Sequence, residues 1–327
     1  MKIGMLFSGQ GSQYSGMGND LYKHYEPATK VFDNAGDNIK NWCFKGTKEM
    51  LRRTYITQPS VYTVSMAAYE SFMDELKKTV PEAKISAMAG FSMGEYAALT
   101  AAGVITDFDT TLSLIKKRGQ FMTEAGLDED GQPKGAMAAA FGKRENIIEC
   151  VEALRENDIL ECVNFNSPIQ TAIAGNISAI NRVKERARSE FGVKVKVLSV
   201  SSAFHSSMMI PASEKLGDQL ANMVFKAPQV KVYSNTTGKD IMEDKPVNTT
   251  DSDWIAQRLV LQVKSPVFWQ ETIENMRRDG VDLFVEVGPG KTLTALASKT
   301  IKDAEELHVE DKKSMEKTIS RIKELAL

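Results

Sequence analysis

The sequence predicts an α/β protein with a largely parallel sheet and, inserted within it, a smaller ferredoxin-like unit. Short apolar runs typical of strands alternate along the chain with helical patterns, and this order builds parallel sheets. Between residues 135 and 199 the order changes to βαββαβ, a ferredoxin-like pattern that is complete in itself. The preceding segment GLDEDGQPKG (126–135) is rich in Gly, Asp and Pro, as expected of a linker between two units.

The elements of the larger unit follow from these patterns. Its predicted strands are KIGMLF (2–7), ISAMAG (85–90), VKVYSN (230–235) and LFVEVG (283–288). Its predicted helices lie at about 58–78, 93–102, 108–125, 212–224, 251–262 and 268–279. The charged tail, 303–327, is predicted to form a short terminal helix.

The smaller unit interrupts the larger one. Its predicted elements are GAMAAAFG, a helix, ILECVNF, QTAIAG, a helix from Asn176, and VKVKVLSV. We therefore predict a discontinuous catalytic domain formed by residues 1–128 and 200–327, with residues 129–199 as the small subdomain.

Composition excludes several classes of protein. The chain has 327 residues, of which 42% are hydrophobic and 26% charged, as in ordinary globular proteins. A net charge of −2 argues against nucleic-acid binding. No apolar run is as long as a membrane-spanning helix, which needs about 18 residues. Three widely separated cysteines indicate neither a disulfide framework nor a zinc site. A reducing cytoplasm fits this composition best.

Ser92 lies in a G-x-S-x-G frame within SAMAGFSMGEYAALTAAGVI (86–105). Glycines on both sides of a serine relieve crowding in a sharp strand-to-helix turn, which leaves the hydroxyl exposed at the helix N-terminus as a nucleophile. The alternative is a tight turn whose serine only caps the helix.

A serine nucleophile requires a base, and the chain has three histidines. His24 and His308 lie in polar or charged segments and are expected on the solvated surface. His205 lies in the loop SSAFHSSMM, which follows the predicted strand VKVKVLSV. The end of that strand would border a cleft. His205 is therefore the predicted general base, although a lone loop histidine is more often structural.

Arg118 lies near the centre of an apolar helix face formed by Leu114, Ile115, Phe121 and Met122. An arginine on such a face requires an anion. That anion is either an internal carboxylate or the carboxylate of a substrate, which a guanidinium binds in bidentate fashion.

Two glycine-rich motifs resemble nucleotide-binding loops but fail on spacing. GQGSQYSG (9–16) has Tyr14 where the dinucleotide fingerprint requires Gly or Ala, and GPGKT (288–292) has Val285 where a P-loop requires Gly. The backbone N–H groups of GQGSQ are instead suited to holding an oxyanion beside Ser92.

Eight motifs follow one another along the chain: FSGQGSQYSGMG (7–18), TQPS (57–60), GFSMGEYAAL (90–99), KRGQFM (117–122), VNFNSP (163–168), AFHS (203–206), SPVFW (265–269) and VEVGPGK (285–291). In this order they resemble the motifs of malonyl-CoA:acyl carrier protein transacylases, over about residues 1 to 300. The resemblance implies a hydrolase-like α/β core with an inserted ferredoxin-like subdomain.

The resemblance also implies roles for individual residues. Ser92 matches the nucleophile of the family, His205 its general base and Arg118 its malonate-binding arginine. Gln10 and the backbone N–H of Met93 match the oxyanion hole.

Gln262, three residues before Ser265, matches the residue whose carbonyl orients the histidine. A neutral carbonyl can fix the imidazole tautomer without the buried aspartate of a hydrolase triad.

The sequence departs from the family at three positions near the site. Phe91 stands where the family usually has His, Ser8 where it has Pro, and Met93 where it commonly has Leu. Phe91 removes a possible polar contact next to the site. Phe204, directly before His205, resembles the bulky residue that malonyl-selective members use to exclude an α-methyl branch.

The predicted activity is ping-pong transfer of a malonyl group from malonyl-CoA to the phosphopantetheine thiol of an acyl carrier protein, supplying fatty acid biosynthesis. No metal or cofactor is expected beyond the CoA thioester as co-substrate, and the enzyme is expected to be a cytoplasmic monomer. The alternatives are a trans-acting polyketide synthase acyltransferase, an acyl hydrolase, a serine esterase and a non-catalytic scaffold that binds carrier protein.

A basic run in the small subdomain is a candidate contact for an acidic carrier protein. Its cations outnumber its acids by four: Arg182, Lys184, Arg186, Arg188, Lys194 and Lys196 against Glu185 and Glu190. The hypothesis is that some of these cations rim the cleft, and the alternative is a solvated helix face without special purpose.

Overall fold

A computed structural model describes residues 1–200 and 202–326 of the chain. Residue 201 of the predicted segment SSAFHSSMM and residue 327 at the end of the predicted terminal helix lie outside the described part. Strands within the described residues are β1 (Ile3–Phe7), β2 (Ile85–Gly90), β3 (Gly135–Phe141), β4 (Leu160–Ser167), β5 (Gln170–Asn176), β6 (Lys194–Val197), β7 (Lys231–Tyr233), β8 (Leu283–Val287) and β9 (Glu305–Val309).

Helices cover most of the remaining chain. They are α1 (Asn19–His24), α2 (Glu26–Ala35), α3 (Asp37–Lys45), α4 (Thr54–Thr79), α5 (Gly94–Ala101), α6 (Phe108–Ala125), α7 (Arg144–Arg155), α8 (Ile177–Phe191), α9 (Ile210–Leu220), α10 (Asp251–Val263), α11 (Trp269–Arg278), α12 (Thr292–Thr300) and α13 (Lys312–Ala326). Short 3-10 helices occur at Met50–Arg52 and Ser207–Met209.

The larger sheet is parallel throughout, in the order β7-β2-β1-β8-β9. Every residue of β1 and of β8 is buried. Strands covered on both faces require continuous apolar runs, and this is why these two segments lack the alternating pattern of a half-exposed strand. The predicted parallel core is confirmed.

The smaller sheet is antiparallel, in the order β4-β5-β3-β6. Helices α7 and α8 cover one face, where Ala138 and Ala140 of β3 pack with Val183 of α8. Met137 and Ala139, which alternate with them along β3, point to the other face, and Met137 belongs to the main core. The predicted βαββαβ unit is confirmed, while the exact domain boundaries stay a prediction.

Strand β4 of the small sheet pairs with a segment of the larger unit. Val267, between α10 and α11, forms a parallel bridge with Asn164 of β4, with backbone hydrogen bonds of 2.9 Å to Val163 and Phe165. Arg144 adds to this joint, because its guanidinium lies 4.4 Å from the ring centre of Phe165 and pairs with Glu271 of α11. These contacts attach β4 to the segment that leads into α11 of the larger unit.

The tail differs from its prediction. Residues 303–327 do not form only a helix, because β9 precedes α13 and extends the parallel sheet at its edge. Within β9 only Leu307 and Val309 are fully buried, and polar residues lie beside them. An edge strand with so few buried positions resembles a charged tail in sequence.

No helix of residues 1–200 and 202–326 combines the length and the apolar character needed to cross a membrane.

Candidate active site

Ser92 lies on the turn between β2 and α5 with a left-handed φ of 53°. A Cβ at Gly90 would overlap the backbone of Gly94, and a Cβ at Gly94 would overlap the carbonyl of Phe7. Both glycines are therefore required by the close approach of the backbone, as the G-x-S-x-G frame predicts. The Ser92 N–H donates to Oδ1 of Asn235 at 2.7 Å, and this contact holds the turn from the side of β7.

His205 is buried directly beside the serine. Its Nε2 lies 2.7 Å from Ser92 Oγ, and its Nδ1 lies 2.9 Å from the backbone oxygen of Gln262. Because a carbonyl oxygen can only accept, Nδ1 carries the proton and Nε2 is free to accept one from the serine. Burial, followed by the charge of Arg118, lowers the pKa of His205 to about 4, so the ring is neutral at physiological pH.

Arg118 reaches the same serine from α6, a helix that begins where the Asp107 side chain caps the Thr110 N–H at 2.7 Å. Nη2 of Arg118 lies 3.2 Å from Ser92 Oγ, and Nη1 donates to Gln58 Oε1 at 2.8 Å. Only 1% of the arginine is exposed, and burial lowers its pKa from its usual high value.

In the part of the chain that the structure describes, the hydrogen bonds of the Arg118 guanidinium are with neutral groups. None of the described ion pairs involves Arg118. The described residues therefore do not form the internal Arg–carboxylate pair that was the alternative explanation for this arginine. Its nearest neighbours are neutral amides and the ring of Tyr96, whose centre lies 5.4 Å from the guanidinium carbon.

Gln262 does more than offer its backbone oxygen. Its side-chain Oε1 accepts from Arg118 Nη2 at 3.0 Å, and its Nε2 donates to the Ser92 backbone oxygen at 2.7 Å. The sequence predicted only the role of its carbonyl. Gln58, Asn235 and Glu95 were not assigned roles, although each lies in a motif or a predicted strand.

The two candidate oxyanion donors belong to two different loops. Gln10 follows β1 in the first glycine-rich loop and lines the cavity, with its side chain donating to Thr54 Oγ1 at 3.2 Å. Met93 directly precedes α5. Within the described residues, neither backbone N–H has a hydrogen-bond acceptor outside the regular helices and strands.

A cavity of about 210 Å³ lies between the two sheets and is mostly apolar. Phe91 and Phe204 line it beside Ser92 and His205, and the Phe91 ring packs edge-on against Trp269 at 5.3 Å. The remaining side of the cavity comes from the small sheet, through the lining residues Met137, Asn164, Asn166, Gln170, Ala172 and Leu198. The two phenylalanines therefore line the same cavity as the predicted nucleophile and base.

The other two histidines do not line the cavity. His24 is 39% exposed, as predicted for a surface residue. The prediction for His308 is wrong, because this residue lies half-buried on β9 and burial lowers its pKa. Pairing of β9 with β8 accounts for the difference.

The basic run divides between two faces. Lys184 and Arg188 lie on α8, which covers the sheet face opposite the cavity, so the hypothesis that they rim the cleft is wrong for these two residues. Lys194 and Lys196 pair directly with Phe141 and Ala139, and their side chains therefore share the cavity-side face of the sheet.

Two further cations of the run are paired within the small unit. Arg182 contacts Glu156 and Asp158, and Arg186 contacts Glu190.

Comparison with known proteins agrees with this arrangement. The family model described as acyl transferase domain matches residues 5–318. A malonyl CoA-acyl carrier protein transacylase of Bacillus subtilis is 35% identical over 99% of this chain and 98% of its own length. The crystal structure of a protein of the same name from Clostridium perfringens is 36% identical, with a TM-score of 0.87, covering 99% of this chain and 98% of its own. This chain belongs to the malonyl-CoA:acyl carrier protein transacylase family.

A third relative extends the comparison to a complex. The solved structure is described as a type II PKS acyl-carrier protein in complex with its malonyl-transacylase. The matched chain of that structure is 31% identical to this chain with a TM-score of 0.88, and the match covers 98% of this chain and 100% of that chain. Membership makes this transacylase an acyltransferase enzyme, and the predicted resemblance is confirmed over nearly its whole length.

Proposed function

We propose that this enzyme transfers a malonyl group from malonyl-CoA to the phosphopantetheine thiol of an acyl carrier protein through an acyl-enzyme on Ser92. One observation carries the proposal. Ser92 Oγ lies 2.7 Å from a neutral imidazole nitrogen of His205 and 3.2 Å from the guanidinium of Arg118. A base and a fixed cation beside one hydroxyl are what acyl transfer of a carboxylated acyl group requires.

The first half-reaction begins with proton transfer. His205 Nε2 takes the Ser92 proton as Oγ bonds to the thioester carbonyl carbon, and the carbonyl oxygen becomes an oxyanion. The N–H groups of Gln10 and Met93 are the proposed donors to that oxyanion. When the tetrahedral intermediate collapses, the carbon–sulfur bond breaks and the CoA sulfur takes the proton from His205. A malonyl ester remains on Ser92.

Arg118 is proposed to hold the free carboxylate of that ester. The guanidinium has no carboxylate partner among the described ion pairs, and its position next to Oγ is within reach of an acyl group attached there. Phe204 and Phe91 are proposed to limit the width of the site, which favours malonyl over methylmalonyl. A branch methyl group would have to displace one of these rings.

The second half-reaction reverses the first. The carrier thiol gives its proton to His205, its sulfur bonds to the acyl carbon, and Ser92 Oγ leaves with the proton returned by His205. The 31% identical relative forms a complex with an acyl carrier protein, which supports a carrier protein as partner here. Lys194 and Lys196, on the cavity-side face, are the proposed contacts for an acidic carrier.

Fatty acid biosynthesis is the proposed destination of the malonyl group. The relative in Bacillus subtilis carries the general transacylase name, whereas the complex involves a polyketide carrier, and this second observation keeps supply of polyketide synthesis as the alternative. We propose a cytoplasmic monomer that needs the CoA thioester as co-substrate and no other cofactor.

The test is transfer in two separate stages. The purified enzyme is first loaded with malonyl-CoA, freed of CoA and then mixed with a fatty acid carrier protein or a polyketide carrier protein, each bearing phosphopantetheine. We expect loading, followed by transfer to the fatty acid carrier. Preferential transfer to the polyketide carrier would favour the alternative, and release of malonate to water would indicate an acyl hydrolase. Turnover of p-nitrophenyl acetate without loading from malonyl-CoA would indicate an esterase.

A further inference from the structure

Glu95 is a buried carboxyl group next to the site that the proposed mechanism does not use. It lies three residues after Ser92 in the first turn of α5 and is 1% exposed. No lysine, arginine or histidine of the described residues forms an ion pair with it. Its partners are N–H donors: Gln262 Nε2 at 2.7 Å and the backbone N–H of Asn235 at 3.3 Å. A buried carboxyl is costly, so its place here calls for a function.

The contacts of Glu95 determine how the Gln262 amide is oriented. An ionised carboxylate only accepts hydrogen bonds, and the Ser92 backbone oxygen only accepts. Both face Nε2, at 2.7 Å each, so Oε1 is left to face Arg118 Nη2 at 3.0 Å. If the amide turned over, acceptor would meet acceptor on one side and donor would meet donor on the other.

Glu95 also supports the turn that carries the serine. The Asn235 backbone donates to the carboxylate, while its side chain accepts from the Ser92 N–H and donates to the Gly90 oxygen, the last two contacts each at 2.7 Å. One carboxylate therefore connects the loop after β7, the end of α10 and the start of α5.

We propose that Glu95 is a positioning residue that balances the charge of Arg118 through the Gln262 amide, so that the guanidinium beside Ser92 needs no direct carboxylate partner within the protein and can bind a substrate carboxylate. A direct Glu–Arg bridge would occupy the guanidinium with bidentate hydrogen bonds. The intervening amide instead points its oxygen at the cation and its nitrogen at the anion. This inference rests on the proposed function and assigns malonyl selectivity to a residue that does not line the cavity.

The test is Glu95→Gln, which keeps the shape but leaves one acceptor oxygen where the carboxylate has two. Self-acylation is measured with malonyl-CoA and with acetyl-CoA, which has no carboxylate. We expect the malonyl-to-acetyl ratio of kcat/KM to fall at least about tenfold, the effect of one misplaced charged hydrogen bond. Labelling of Ser92 by a fluorophosphonate and a thermal melt report whether the site and the fold persist. Equal losses for both acyl groups would overturn the proposal.

A double-mutant cycle tests whether Glu95 acts through Gln262. On a Gln262→Ala background, Glu95→Gln should change the ratio little, because the connecting amide is already gone. If the two substitutions instead change the ratio independently and additively, Glu95 does not act through Gln262. Glu70→Gln is the control for loss of a glutamate charge elsewhere in the fold: Glu70 is an exposed residue of α4 and makes no hydrogen bond to Gln262, Asn235 or Arg118 in the described part. We expect the malonyl-to-acetyl ratio of kcat/KM in Glu70→Gln to equal that of the wild type.

Acid pH supplies a readout that a purely structural role would not give. Burial raises the pKa of Glu95 to about 7, and the titratable groups around it are Arg118 on α6, Tyr96 on α5 and His205 beyond Gln262. Below that pH a protonated Glu95 becomes a donor on one oxygen, as the carboxamide is. The malonyl-to-acetyl ratio of kcat/KM should therefore fall on acidification in the wild type and stay constant in Glu95→Gln. The same dependence of this ratio on pH in both proteins would refute the inference.

The two proposals can fail separately. A wild-type enzyme that is not acylated by malonyl-CoA overturns the proposed function. A wild-type enzyme that is acylated, with an unchanged ratio in Glu95→Gln, overturns only the assignment of Glu95.

Discussion

Nη2 of Arg118 donates a hydrogen bond to Oγ of Ser92 across 3.2 Å, between two side chains that are both more than nine-tenths buried. In such surroundings a positive charge acts more strongly than it does in water. The same guanidinium therefore favours the ionised form of the attacking oxygen and lies next to the acyl group that this oxygen would carry. In the proposed mechanism this one contact affects both the reactivity of Ser92 and its selectivity for the acyl group.

Replacing Arg118 with Ala should reduce malonyl transfer far more than acetyl transfer. The substrate carboxylate would lose its partner in a partly desolvated site, at a cost of about 3 kcal/mol or about a hundredfold in kcat/KM. Rates of enzyme acylation by malonyl-CoA and acetyl-CoA check this. An equal loss for both donors would mean that Arg118 only supports the fold.

The acid limb of serine reactivity should lie near pH 4. His205 must be neutral to accept the serine proton, and burial together with Arg118 lowers its pKa to about 4 from 6.5. The rate of fluorophosphonate labelling should stay level from neutral pH down to about 5 and fall only near 4. This probe carries no carboxylate. A midpoint near 6.5 would show that the imidazole is not desolvated as described.

The same pKa shift determines how His205 affects stability. The unfolded chain binds more protons than the folded one between pH 4 and 6.5, so the contribution of this residue to the free energy of unfolding rises with pH across that window.

Reversing Lys194 and Lys196 to Glu should slow transfer to the carrier protein while leaving acylation by malonyl-CoA nearly unchanged. Steering by charge acts mainly on the association rate of the acidic partner, so the loss should shrink as salt is added. Lys184→Glu together with Arg188→Glu is the matched control, because it reverses the same charge on the opposite face. If the control pair slows transfer as much as the first pair, the cavity-side face is not the docking surface.

Much of the fold could be predicted from the sequence because its strands are short and apolar and its helices are periodic. Strand β2 and helix α6 begin and end where the patterns predict. Strand β9 could not be predicted in the same way, since its backbone pairing is set by β8, about 20 residues earlier, and only two of its side chains are fully buried.

The site was predictable only in part. Ser92, His205 and Arg118 stand out because each combines a reactive side chain with an unusual local pattern. Gln58, Glu95 and Asn235 are instead defined by their hydrogen bonds to residues far away in the chain, and such partners leave no local signal. The faces of the basic run could not be predicted either, because they depend on the sheet face that α8 covers and on the register of β6 against β3.

That Ser92 carries the acyl group is tested most directly by intact-mass spectrometry of the wild type and of Ser92→Ala after incubation with malonyl-CoA. The substitution removes one oxygen from a turn held by Gly90, Gly94 and Asn235, so the fold should persist, as a thermal melt can verify. We expect one malonyl adduct on the wild type, located by peptide mapping to the segment containing Ser92, and none on the variant. A malonyl adduct on Ser92→Ala of equal yield would contradict the acyl-enzyme.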